Sequence, residues 1–148
     1  MEYADAISKI QAILFKKDAT NPLQQVVDLL QSSFPNYSWV GLYLVQGDVL
    51  ILGPWRGKEA TEHTRIPLGK GICGSAAQSG RTEIVDDVSK DTRYLSCFLS
   101  TRSEIVVPIK RGARVIGEID IDADEPAAFS GKDAAFLEKV ADMLSKHI

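Results

Sequence analysis

The chain has 148 residues and a mass of 16.2 kDa, a length that suits one domain spanning residues 1–148. Hydrophobic residues make up 45% and charged residues 25%, the balance of a globular chain, which excludes disorder as the main theme. Lysine and arginine number 17 against 20 acidic residues, mixed along the sequence for a net charge of −3, so no basic stripe follows a phosphate backbone and nucleic acid is not an expected ligand. Apolar runs such as Ile105 to Ile109 fall far below the roughly 20 residues of a membrane span, and the start Met1-Glu2-Tyr3-Ala4-Asp5 lacks the basic residues of a signal peptide. The expected location is therefore the cytoplasm, away from membranes.

From Asp5 to Phe15 the residues Ala6, Ile7, Ile10, Ile13 and Leu14 recur at helical steps, and the pattern resumes at Val26, Val27, Leu29, Leu30 and Phe34. Two amphipathic helices are predicted, the second capped by Asn21 with Pro22 at its first position and ended by Phe34-Pro35-Asn36. Ser38 to Val45 and Val49 to Leu52, separated by Gln46-Gly47-Asp48, read as a β-hairpin. The glycine-rich segment Ile66 to Gly80 contains Ser75-Ala76-Ala77, which suits a short helix packed close against another backbone. Glu83-Ile84-Val85 is a short strand candidate.

Asp86 to Arg102 is polar and aperiodic, a surface loop of 17 residues, longer than compact domains keep without a functional reason. Two strands follow, Glu104 to Lys110 and Val115 to Asp122, joined through Arg111-Gly112-Ala113. The closing helix, Ser130 to His147, has Ser130 as its cap, Asp133 three residues on, and Phe136, Leu137, Val140, Met143 and Leu144 on one face. This order predicts an α+β domain in which helices cover one face of a largely antiparallel sheet.

Two cysteines are too few for a disulfide framework, which leaves buried filler or reactive thiols. Cys73 lies in Gly69-Lys70-Gly71-Ile72-Cys73-Gly74, where a helix N-terminus would favour its thiolate. Cys97 follows 24 residues later in the long loop, within reach of solvent and of a partner. Side chains two residues apart on a strand share a face. Trp39 and Tyr43 then flank Gly41 and make a notch, while Glu118, Asp120, Asp122 and Asp124 line one face of the last strand and Glu104 alternates with Ile105 and Val107 before it. Two readings fit the acids: a solvated sheet face, or a pocket in which crowded carboxyls hold a proton near neutral pH or bind an ammonium. With no histidine near the acids in sequence, no metal site is expected, and His63 and His147 read as surface residues. Gly69-x-Gly71-x-x-Gly74 has the glycine spacing of a dinucleotide fingerprint but lacks the strand and βαβ unit that would give it meaning.

Taken in order, Ser38-Trp39-Val40-Gly41-Leu42-Tyr43, Leu52-Gly53-Pro54-Trp55-Arg56-Gly57-Lys58, Arg65-Ile66-Pro67-Leu68-Gly69-Lys70-Gly71-Ile72-Cys73-Gly74, Ser103-Glu104-Ile105-Val106-Val107-Pro108-Ile109 and Gly117-Glu118-Ile119-Asp120-Ile121-Asp122 resemble the free methionine-(R)-sulfoxide reductases. These are single GAF-domain enzymes. The resemblance implies a GAF fold, with a central, mostly antiparallel sheet, N- and C-terminal helices on one face, and pocket-forming loops and a short helix on the other. It implies that Cys97 is the catalytic thiol attacking the sulfoxide sulfur of free L-methionine (R)-sulfoxide, giving methionine and a sulfenic acid. Cys73 would then condense with that sulfenic acid to a disulfide, which thioredoxin reduces.

By the same resemblance Glu104, Asp120 and Asp122 are the pocket carboxylates, with Glu104 and Asp122 in catalytic roles, and Trp39 and Tyr43 are the aromatic wall around the substrate methyl. No cofactor is implied beyond reducing equivalents from thioredoxin, and a homodimer is expected. One departure stands out: many members carry a third cysteine where this chain has His63, in a slightly longer segment, which leaves Cys73 as the only intramolecular resolving candidate. The alternative is a stand-alone GAF sensor that binds a small ligand without catalysis, since fold alone does not fix function.

Overall fold

A computed structural model describes residues 1–95 and 98–148. Helix α1 (Tyr3–Phe15) buries Ala6 and Ile10, and α2 (Pro22–Ser33) buries Val26, Val27 and Leu30, each on a single stripe, as the spacing predicts. Asn21 does precede α2, but it adopts a left-handed conformation (φ 52°) and its side chain makes no capping hydrogen bond. Pro22 carries the entry instead, because its fixed φ suits the first helical position and its missing N–H leaves no donor to satisfy.

Strands β1 (Trp39–Gln46) and β2 (Val49–Arg56) form the expected hairpin. The second strand runs past Leu52, through Gly53 and Pro54, because Gly53-Pro54 together oppose Leu42 as a bulge between the pairs Tyr43↔Leu52 and Gly41↔Trp55. A bulge is where a strand tolerates a residue without an N–H. Next come β3 (Arg65–Pro67), which the sequence pattern does not mark, helix α3 (Gly71–Ser79), longer than the small-residue core suggests, and β4 (Glu83–Val85). A short 3-10 turn at Val88–Lys90 interrupts the long loop.

Strands β5 (Ser103–Arg111) and β6 (Arg114–Ala123) follow, and helix α4 (Gly131–Leu144) ends the chain. Its N-terminus is a full capping box, with Ser130 accepting from Lys132 N and Asp133 reaching back to Ser130 N. Asp133 also accepts from Tyr37 Oη at 2.7 Å and Tyr3 Oη at 3.0 Å, which ties the helix end to an aromatic group of Tyr3, Phe34, Tyr37, Phe129 and Phe136.

Among the described residues the strands make one antiparallel sheet in the order β3-β2-β1-β6-β5-β4. Alternation sends Val40, Leu42, Ile105, Val107, Ile109, Ile119 and Ile121 to one face, where they pack under α1, α2 and α4. Full burial of each such side chain contributes about 1.5–3 kcal/mol, so this layer is the main source of stability. The opposite face carries Trp39, Tyr43, Val106 and the acids, with α3 laid over it. That close approach needs Gly74, since a Cβ there would lie 2.6 Å from the carbonyl oxygen of Pro67. The α+β architecture, with terminal helices on one face and α3 and loops on the other, is as expected from the sequence. No helix is long and apolar enough to cross a membrane among the described residues.

Candidate active site

Register places the acids. Glu104 on β5 lies directly across from Asp122 on β6, Val106 across from Asp120, and Pro108 across from Glu118. From the other side β1 brings Trp39 opposite Asp122, Gly41 opposite Asp120 and Tyr43 opposite Glu118. The row of carboxyls therefore runs along the middle of the sheet, with aromatic side chains on one flank and α3 above.

The solvated-face reading fails here. Glu118 is 0% exposed, Asp120 and Asp122 3%, and Glu104 5%, because β6 is central and α3 seals its polar face. Burial pushes the carboxyls of Glu118, Asp120 and Asp122 upward, and the charge of Asp120 raises Glu118 and Asp122 further. Each upward shift favours the neutral carboxyl, so this row keeps its protons to higher pH than a surface row would.

Cys73 sits in the first turn of α3, its Sγ 3.9 Å from Glu104 Oε2. The expected stabilisation of its thiolate by the helix N-terminus is overridden. Burial pushes the thiol up, and the charges of Asp120, Glu118, Glu104 and Asp122 add to that. Cys97, assigned to catalysis from the sequence resemblance, lies outside the described residues.

The notch predicted beside Gly41 is filled by its own neighbour. The Trp39 indole folds back so that a Cβ on Gly41 would meet its ring at 2.3 Å, and a Cβ on Gly57 would do the same from the other side. The ring stacks on Trp55 at 6.2 Å and tilts against Phe98 at 5.8 Å, while its Nε1 is buried without a partner. Tyr43, on the same face, donates from Oη to His63 O at 2.7 Å, so it anchors the segment before β3. His63 is half-buried and lines a void of about 10 Å³ with Tyr43, Cys73, Glu104 and Asp120, which corrects its reading as a surface residue. A second void of about 30 Å³ lies beyond, lined by Trp39, Phe98, Asp122 and Asp124.

The structure thus brings Trp39, Tyr43, Cys73, Glu104, Asp120 and Asp122 to one buried face. It adds Glu118, which shares their parity on β6, and His63, whose place no local pattern signals. Asp120 Oδ1, Asp122 Oδ1 and both oxygens of Glu118 lack partners, as does the Trp39 N–H. Buried polar groups are nearly always paired, so orphaned acceptors beside an orphaned donor describe the complement of a ligand that carries both a cation and an acceptor oxygen. A groove of about 860 Å³ at Leu14, Phe15 and Met143 is far larger, yet none of this chemistry faces it.

Residues 18–148 match the GAF domain family. Free methionine-R-sulfoxide reductase of Saccharomyces cerevisiae is 42% identical over 113 residues, covering 74% of this chain and 62% of that protein, less than two thirds of its length. The Escherichia coli free methionine-R-sulfoxide reductase is 34% identical, covering 80% of this chain and 70% of that protein. The crystal structure of the Neisseria meningitidis free methionine-R-sulfoxide reductase in complex with its substrate superposes with a TM-score of 0.89 at 36% identity, over 97% of this chain and 86% of that one. The chain belongs to the GAF domain family and, within it, to the free methionine-R-sulfoxide reductases.

Proposed function

We propose that this chain reduces free L-methionine (R)-sulfoxide to L-methionine. The observation that carries the reading is the buried row of Glu104, Asp120 and Asp122, facing Trp39 and Cys73, in which Asp120 Oδ1 and Asp122 Oδ1 have no partner. A zwitterionic amino acid suits it. The ammonium meets the carboxyls, the sulfoxide oxygen takes a proton or hydrogen bond from them, and the methyl packs on the indole.

In the proposed reaction the Cys97 thiolate attacks the sulfoxide sulfur. The S–O bond breaks as a proton from Glu104 or Asp122 reaches the oxygen, the sulfoxide sulfur is reduced by two electrons, and the oxygen passes to Cys97 as a sulfenic acid. The Cys73 thiol then condenses with that sulfenic acid, releasing water and forming a disulfide. A thioredoxin reduces it by exchange, taking the disulfide itself. His63 at the position of a third cysteine leaves this pair as the intramolecular route. We also propose a homodimer working in the cytoplasm.

The voids of about 10 and 30 Å³ are far below the few hundred Å³ of a ligand site, so entry requires the loop between β4 and β5 to yield. A closed pocket of this kind favours the free amino acid over methionine sulfoxide held in a protein chain.

The test couples the protein to thioredoxin, its reductase and NADPH, supplying each epimer of free methionine sulfoxide in turn. Oxidation of NADPH with the R epimer alone supports the reading. Silence with both, from a folded and reduced sample, overturns it in favour of a ligand-binding module.

A further inference from the structure

Five acidic groups lie together where α3 meets the sheet: the Cys73 thiol and the carboxyls of Glu104, Glu118, Asp120 and Asp122, none more than 6% exposed. Among the described residues, the charged groups that bear on Cys73 are these same four carboxyls, all of one sign. Asp120 Oδ1 is buried without a hydrogen-bond partner in this cluster, and so are both oxygens of Glu118. Such a set is completed by protons or by a cation.

The geometry favours a cation at one point. Cys73 Sγ and one carboxyl oxygen each from Glu104 and Asp120 lie within 4.8 Å of one another, with Sγ to Glu104 Oε2 at 3.9 Å. A tetrahedral zinc ion, with bonds of about 2.3 Å to sulfur and 2.0–2.2 Å to oxygen, sets such donors about 3.5 Å apart. Shifts on the order of an ångström, within reach of side-chain rotation, close the three donors on one centre. The void they line, about 10 Å³, holds a single water or a single ion.

We propose that Cys73, Glu104 and Asp120 form a reversible site for one thiophilic divalent cation of the zinc or cadmium type. A thiolate beside two carboxylates selects a borderline or soft ion over magnesium or calcium, which favour all-oxygen sets. His63 lines the same void and has the donor chemistry for a fourth position. On binding, the Cys73 S–H bond is replaced by a sulfur–metal bond and the displaced protons pass to solvent, with no change of oxidation state. The ion is an occupant and takes no part in sulfoxide reduction. The sequence argued against a metal because no histidine lies near the acids along the chain; the fold supplies the missing soft donor from α3. The site stands independently of the reductase reading, since it needs only the donors.

The full chain, reduced and then freed of reductant, is titrated with cadmium chloride alone while the ultraviolet cadmium–thiolate charge-transfer band is followed. The expected result is a band that saturates at a single equivalent in the wild type and in Cys97→Ser and is absent in Cys73→Ser. Asp120→Asn is expected to keep the band with affinity at least about tenfold weaker. No band, a band that survives Cys73→Ser, a band lost in Cys97→Ser, or unchanged affinity in Asp120→Asn each overturns the proposal. Circular dichroism of Cys73→Ser checks that the variant is folded, and if it is not, the Asp120→Asn affinity decides.

Discussion

The helical face and the α3 face of the sheet are made by the same strands, yet they obey opposite rules. On β5 and β6, Ile105, Ile119 and Ile121 pack into an all-apolar layer, while their immediate neighbours Glu104, Glu118, Asp120 and Asp122 crowd like charges into the other side. One face lowers the free energy of folding and the other raises it. Strand parity keeps the two apart, so a site that is costly to fold is held by a core one residue away that never touches it.

The largest expected effects break the α3 face without touching the other. Cys97→Ser abolishes turnover in the proposed reductase, and Glu104→Gln and Asp122→Asn each lower kcat/KM by about 100-fold with unchanged circular dichroism. Near-normal rates in both carboxyl variants remove the acid role. Leu137→Ala does the reverse: removal of a fully buried side chain from the helical layer costs about 3 kcal/mol in urea denaturation, while KM of the folded enzyme stays put. A matching rise in KM would show that the faces are coupled.

Gly41→Ala tests the seat of the indole. Its new Cβ would overlap the Trp39 ring, so the variant loses about 1–3 kcal/mol and shifts its tryptophan emission. Unchanged emission would place the indole elsewhere in solution. The smallest effect sharpens the comparison through pH. Burial holds the Glu118 carboxyl well above its ordinary value, whereas the unfolded chain releases that proton at about pH 4.3. The folded state therefore binds the extra proton, and this contribution to stability, complete below that pH, is lost as pH rises toward the folded value. Urea midpoints at pH 5 and 8, with chelator present, are expected to fall with pH in the wild type and to fall less in Glu118→Gln, by about 1 kcal/mol. Parallel slopes would mean that Glu118 is ionised in the fold.

Much of this plan is legible along the chain. Helical spacing in α1 and α2, the Ser130–Asp133 box and the parity of the acids on β6 are local signals, and each survives in the fold. What local pattern does not show is which face of a central strand is sealed. Glu118, Asp120 and Asp122 read equally as a solvated row until α3, held close by Gly74, is laid over them. The same holds for β3, three residues whose strand character comes from pairing with β2, and for His63, brought to Cys73 by the bond from Tyr43. The Trp39 notch misleads for a related reason. A glycine beside a large ring is space only if the ring stays upright.

The chain contains two tryptophans, Trp39 and Trp55, and they are stacked with an interplanar angle of 14°. All of its indole emission thus originates at the wall of the candidate site, from a pair close enough for their electronic transitions to couple. Rotation of either ring alters that coupling. The stacked pair is thereby a built-in optical reporter of the pocket wall, readable by near-ultraviolet dichroism without any attached label.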